Sequence, residues 1–244
     1  MKKINKLQSL LKNEDLDALA IVPGSNFFYL TGGNFHLLER PTVLLISKTS
    51  KPIAILPVLE LDSFEKLKLD VDIFEWQDSD GYQSAFDKAF QKIGSLSSIG
   101  IEGQRMRVFE SQAIEKAANK IKIINAHKLI SRIRLTKDVE EIEKLKKAID
   151  IAEKSLEKTL QYVEVGKTEI EIKNFLIQQL YNYGAEGIAF DPIVLASDNS
   201  ALPHGHSRND YKIKKGDCLL FDFGAIVDGY NSDITRTFFI ESVS

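Results

Sequence analysis

Cysteine is all but absent: Cys218 is the only one in 244 residues. A lone thiol closes no intrachain disulfide, and no Cys-x-x-Cys or Cys/His spacing of a zinc site surrounds it. Its place in an apolar strand pattern reads as inert packing rather than as a reactive thiol. Six prolines and 14 glycines are too few for a collagen-like, low-complexity or disordered chain. No apolar run approaches the roughly 18 residues of a membrane span. Charges interrupt the basic start, MKKINKLQSLLKNEDLDAL, before a signal-peptide core could form. Neither sign of charge dominates, since 32 basic residues face 35 acidic ones for a net −3. That balance leaves no electrostatic footprint for nucleic acid or an anionic membrane. We therefore expect a soluble, cytoplasmic protein acting on small substrates or other proteins. What is present is ordinary globular material, 43% apolar and 27% charged, long enough for one large domain or two small ones.

Up to about residue 130, short Val/Ile/Leu runs alternate with segments of helical period, the pattern of an α/β domain. Strands are expected at 17–22, 42–47, 53–58, 71–76, 99–102 and 121–125, and helices at 4–11, 64–69, 82–93 and 108–120. The aromatic segment 25–33, ending in two glycines, breaks the pattern and reads as packing. After residue 134 the texture becomes α+β. Thr136 is the expected N-cap of a long helix whose apolar stripe is Val139, Ile142, Leu145, Ile149, Ala152, Leu156, Leu160 and Val163. Thr168 and Glu171 form a capping box for a second helix ending near Gly184. Strand signals follow at 188–196, 218–223 and 230–240, separated by a polar stretch that holds His204 and His206. The division falls near residues 128–136, giving domains 1–130 and 131–244.

The chemistry concentrates around Asp228-Gly229, the dipeptide of a two-residue hairpin turn with positive φ at both positions. Pairing outward from it sets Val227 opposite Tyr230, Ile226 opposite Asn231, Gly224 opposite Asp233 and Asp222 opposite Thr235. Asp222 and Asp233 then share a face as diagonal neighbours, roughly 7–8 Å apart at the backbone, provided no bulge intervenes. Two carboxylates on an otherwise apolar hairpin need a cation, an arginine or solvent. Paired oxygen donors suit divalent metals such as manganese. The alternative is a solvated hairpin in which Asp233 pairs with Arg236.

These residues resemble a known family. Asp222-x-Gly-Ala followed eleven residues on by the aspartate of Gly229-Tyr-x-Ser-Asp-Ile-Thr-Arg-Thr-Phe238 is similar to the metal hairpin of the pita-bread metallopeptidases, namely aminopeptidase P and prolidase, whose relatives include creatinase. Ala201-Leu-Pro-His-Gly205 resembles the substrate-side histidine motif, and Gly187-Ile-Ala-Phe-Asp-Pro-Ile-Val194 the strand before it. Arg134-Leu-Thr-Lys-Asp-Val-Glu-Glu-Ile142 resembles the start of the catalytic domain, and Asn26-Phe-Phe-Tyr-Leu-Thr-Gly32 a motif of the creatinase-like N-terminal domain. The resemblance implies a creatinase-like N-terminal α/β domain followed by the first half of a pita-bread catalytic domain. It also implies that Asp222 binds one metal, Asp233 bridges two, and His204 lies near the scissile bond as a donor to developing charge. Two divalent ions are implied, with manganese first and cobalt or zinc as alternatives. So are Xaa-Pro peptide substrates and a homodimer in the intact protein. Thr235, facing Asp222, is the expected partner that orients its carboxylate. His206 has no assigned role, and His36 and His127 read as surface or packing residues.

The sequence departs from the family in two places. The family site adds a histidine and two glutamates from a later part of the fold, whereas Ser244 is eleven residues beyond Asp233. The polypeptide is therefore expected to be C-terminally truncated, inactive alone, and to expose an apolar face. An in-frame continuation of the gene carrying His and two Glu would explain it. The second departure is Asp198, where the family usually has Gly, which puts the backbone there in question. Two other readings are a non-hydrolytic pita-bread binding module and a creatinase-type amidinohydrolase working without metal; the retained aspartate pair argues against both.

Overall fold

The unbroken apolar runs of the first half become strands buried on both faces. In the computed structural model, which describes residues 1–241, the chain divides between Thr136 and Lys137. The first unit contains α1 (Lys2–Leu11), β1 (Ala18–Ile21), α2 (Ser25–Thr31), β2 (Val43–Ser47), β3 (Ile53–Pro57) and α3 (Val58–Glu65). It continues with β4 (Asp72–Trp76), α4 (Gln83–Ile93), β5 (Ser98–Ile101), α5 (Val108–Ala118), β6 (Lys122–Asn125) and α6 (His127–Ser131). One six-stranded sheet has the order β4-β3-β2-β1-β5-β6. β1 runs parallel to β5 and antiparallel to β2. Leu19, Ile21, Leu44 and Ile46 pack on one side with Ile4, Leu7 and Phe64. Ala18, Ala20, Val43 and Leu45 pack on the other with Phe86, Ala89 and Ile114. Coverage of both faces is why these strands carry no polar alternation.

Two local expectations in this unit change. The aromatic segment after Gly24 is helix α2, closed by Gly32 at φ 79° in the left-handed position that glycine tolerates. In place of the helix expected at 64–69, the helix spans Val58–Glu65, directly after Pro57 ends β3, where a proline fits just ahead of a helix.

The second unit contains α7 (Val139–Leu160), α8 (Glu169–Asn182), β7 (Gly187–Ile188), β8 (Ile193–Ala196), β9 (Cys218–Phe223), β10 (Ala225–Val227), β11 (Tyr230–Asn231) and β12 (Ile234–Phe239). They form two three-stranded sheets, β11-β10-β7 and β12-β9-β8. Asp138, not Thr136, caps α7: its side chain accepts from Glu141 N–H at 2.9 Å, and Glu141 returns a bond from Asp138 N–H. Thr168 and Glu171 cap α8 reciprocally, as the sequence predicts.

The buried stripe of α7 includes the expected Ala152 and Leu156, with the expected Leu160 and Val163 packed against the same core, and differs from the expected one elsewhere. Ala148, Ile151, Ala152, Ser155, Leu156 and Thr159 face the sheet, whereas Val139 is 75% exposed and Ile142 and Ile149 are each 41% exposed. Small residues let the helix approach closely. Ser155 and Thr159 satisfy their hydroxyls by donating to the carbonyls of Ile151 and Ser155, each at 2.7 Å. With α8, this stripe covers the face of β8, β9 and β12 that bears Val194, Ala196, Leu219, Phe221, Phe223 and Ile234.

Candidate metal hairpin and histidine loop

Asp228-Gly229 turns the chain as its composition requires, with φ of 49° and 74°, the positive pair of a type I′ turn. The ladder then runs without slip. Val227 faces Tyr230 and Ile226 faces Asn231; beyond the junction, Ile234 faces Phe223 and Thr235 faces Asp222. At the junction the strands come unusually close. Ser232 N–H donates to the Ala225 carbonyl, and Ala225 N–H donates to Ser232 Oγ, both at 2.9 Å. The Ser232 carbonyl turns against Gly224, where a Cβ would lie 1.9 Å from its oxygen. Only glycine fits there, and no residue is inserted.

Because the register is continuous, period-two alternation carries through. Phe221, Phe223, Ser232 and Ile234 are buried, Asp222 is half-buried, and Asp233 and Thr235 are exposed. Asp222, Asp233 and Thr235 thus share the face turned away from the helices, with the aspartates as diagonal neighbours. Thr235 Oγ1 donates to Asp222 Oδ1 at 2.9 Å, which fixes the carboxylate's rotation. Arg236 lies on the opposite face: it donates to its neighbour's carbonyl at 2.9 Å and reaches Glu153 at 3.9 Å. Its pairing with Asp233, the alternative to a metal, does not form. Cys218 occupies a strand, yet it is half-buried on the Asp222 face rather than in the core.

His204 lies on the exposed part of the loop between β8 and β9, and His206 is also exposed. Their segment forms no strand. Asn199 Nδ2 donates to the His206 carbonyl at 3.0 Å, which gives that residue a backbone role. His36 is exposed, and His127 begins α6. Among the described residues, no group of three or more His, Cys, Asp or Glu is arranged to hold a metal. Asp222 and Asp233 fit a hard divalent cation as two of its ligands: both are oxygen donors, accessible to a hydrated ion, and one is oriented by a hydroxyl.

The backbone left in question at Asp198 is not left-handed; its neighbour Ser197 is, at φ 54°. Asp198 instead accepts from Arg208 Nη2 at 3.2 Å, and that hydrogen bond holds its carboxyl below the usual carboxylate range. Sequence reasoning missed Glu169, at the first turn of α8 and fully buried. Its carboxylate accepts from the N–H groups of Ala196 and Arg208, each at 2.6 Å, and from Asn199 Nδ2 at 2.9 Å. The Arg208 guanidinium adds a contact at 3.2 Å. The only local signal is an acid beside a threonine cap, indistinguishable from an ordinary first-turn glutamate.

Residues 3–136 match the Creatinase/Prolidase N-terminal domain, and residues 143–244 match Metallopeptidase family M24. An uncharacterized peptidase of Staphylococcus aureus is 30% identical over 97% of this chain and 66% of its own length. The fold is similar to that of an Xaa-Pro dipeptidase from Bacillus anthracis, with TM-score 0.86 and 30% identity over all of this chain and 66% of that one. A prolidase from Thermococcus sibiricus gives TM-score 0.90 and 31% identity at the same coverage. The chain thus spans about two thirds of the length of these relatives. It belongs to the creatinase/prolidase family of M24 metallopeptidases, pairing a creatinase-type N-terminal domain with the first part of a pita-bread domain.

Proposed function

We propose that this chain carries the metal hairpin and substrate histidine of a peptidase that cleaves Xaa-Pro bonds. The unslipped hairpin supports this reading most strongly: it puts Asp222 and Asp233 on one accessible face with Thr235 bonded to Asp222. In this reading Asp222 would be a ligand to one divalent ion and Asp233 a ligand shared by two, manganese being the first candidate. When bound, such ions supply Lewis acidity toward a peptide carbonyl and lower the pKa of water. Thr235 keeps the Asp222 carboxylate in one orientation, so its lone pairs need no reorganisation. His204, at the exposed end of its loop, donates a hydrogen bond to charge developing at the scissile bond. The substrate is a proline-containing peptide, and the working assembly is a cytoplasmic homodimer.

The 244 residues alone are proposed to have no appreciable activity and only loose metal binding, because two carboxylates do not make a complete two-metal site. The test is a fusion of this chain to the remaining third of the Thermococcus sibiricus prolidase. Xaa-Pro hydrolysis that requires added divalent metal is expected. It should fall by about 10²-fold or more in His204→Ala and disappear in Asp222→Asn and Asp233→Asn. A folded fusion inactive on every Xaa-Pro peptide, or equally active after both Asp substitutions, would overturn the proposal.

A further inference from the structure

We propose that Glu169 is a positioning residue for His204, closing the neck of its loop with a buried carboxylate. The inference rests on the function proposed above for its catalytic consequence, and on geometry alone for the clasp. The loop leaves β8 at Ala196 and returns at Arg208. Glu169 accepts the backbone N–H of both ends, each at 2.6 Å, so one carboxylate ties two points twelve residues apart. The tie is reinforced on either side. Asn199 Nδ2 bridges Glu169 Oε2 and the His206 carbonyl, while Ser207 Oγ donates to the Val194 carbonyl at 2.8 Å and accepts from Val194 N–H at 3.3 Å. Arg208 donates to Glu169 at 3.2 Å, to the Ala196 carbonyl at 3.1 Å and to Asp198 at 3.2 Å.

Between these ties, residues 201–204 are exposed. The direction in which the loop folds follows from Gly205. A Cβ there would lie 2.8 Å from Leu195 Cδ1. Leu195 faces Leu220, just as Ile193 faces Asp222, so Leu195 is on the Asp222 side of the sheet. The clasp therefore holds the residue after His204 against the face that bears Asp222. Glu169 touches neither aspartate and neither ring; it acts by fixing the backbone from which His204 projects. Asp198, at the position where the family pattern has glycine, gives Arg208 a second carboxylate and makes the clasp two-sided in this chain.

Hydrogen exchange and histidine ring NMR on this chain test the proposal without metal or peptide. Glu169→Gln keeps the shape but turns an N–H₂ group toward donors. Amides of residues 197–207 are expected to exchange about tenfold faster or more, while α7 and β9 stay protected. The His204 ring resonances are expected to broaden or shift, and Arg208→Lys, which keeps the charge but loses the fork, to lie between parent and variant. If Glu169→Gln does not fold, Asp198→Ala is the second variant, with a few-fold faster exchange confined to the same amides. Exchange within about twofold of the parent across the loop, or loosening spread evenly through α7, α8 and β9, would overturn it. A fusion that cleaves no Xaa-Pro peptide while the loop loosens as described would count against the proposed function and leave the clasp standing.

Discussion

Replacing Gly224 by alanine perturbs the hairpin at the point where its two halves are closest. The added Cβ would sit 1.9 Å from the Ser232 carbonyl oxygen, 2.8 Å from its carbon and 3.0 Å from Ala189 Cβ. Two of those three atoms are backbone, and Ser232 is itself pinned by its N–H and Oγ bonds to Ala225. No side-chain rotation relieves the clash, so a strand must move by more than an ångström or part locally. Overpacking of this kind costs about 1–3 kcal/mol where side chains can adjust, and backbone on backbone puts Gly224→Ala at ~3 kcal/mol or above. For a domain near 100 residues that corresponds to a melting temperature lower by about 10 °C or more. The same displacement breaks the register that keeps Asp222 and Asp233 on one face. Thermal melting gives the magnitude, and hydrogen exchange resolved by residue gives the place. Faster exchange is expected at 218–225 and 230–239. A melting temperature within about 2 °C of the parent, with unchanged exchange at those amides, would refute the close-crossing argument.

Three further outcomes follow from the structure. Thr235→Val removes the hydroxyl bonded to Asp222 while keeping the shape, and should weaken manganese binding by about 10–100-fold in the fusion with little change in melting; unchanged affinity would contradict its orienting role. Burial pushes the Glu102 carboxyl up despite its bonds from Asn26 and Val22, so its contribution to stability is full below the unfolded carboxylate's pKa and lost as pH rises through the higher folded value. Urea midpoints of the parent should fall relative to Glu102→Gln across that window, and parallel curves would contradict this. On α7, Val139→Lys and Ile142→Lys should change stability by no more than about 0.5 kcal/mol, whereas Ala148→Leu should cost about 1–3 kcal/mol by overpacking; the reverse order in denaturant titrations would restore the stripe expected from sequence.

The parts legible in the sequence are those whose determinants are local. Asp228-Gly229 dictates its own turn, and from a fixed turn the alternation of one strand against another sets Thr235 opposite Asp222. Thr168 and Glu171 are likewise three residues apart. Legibility fails where the decision is made by distance or by fit. On α7, Val139, Ile142 and Ile149 outweigh Ala148, Ser155 and Thr159 on any hydrophobicity count, yet packing on a sheet buries the latter beside the expected Ala152 and Leu156. Glu169 looks like a first-turn acid because its donors, Ala196, Asn199 and Arg208, come 27 to 39 residues later. Ser197, not Asp198, takes the left-handed backbone, and the Asp198 side chain meets Arg208 ten residues on.

The central claim is that Asp222 and Asp233 form one cation-binding face, and paramagnetic broadening by manganese in amide NMR spectra tests it most directly. Substoichiometric manganese added to this chain should broaden the amides around Asp222 and Asp233 first, and that selectivity should vanish in Asp222→Asn combined with Asp233→Asn. Broadening that begins instead at other carboxylates of the chain, or that is the same in parent and double variant, would contradict it.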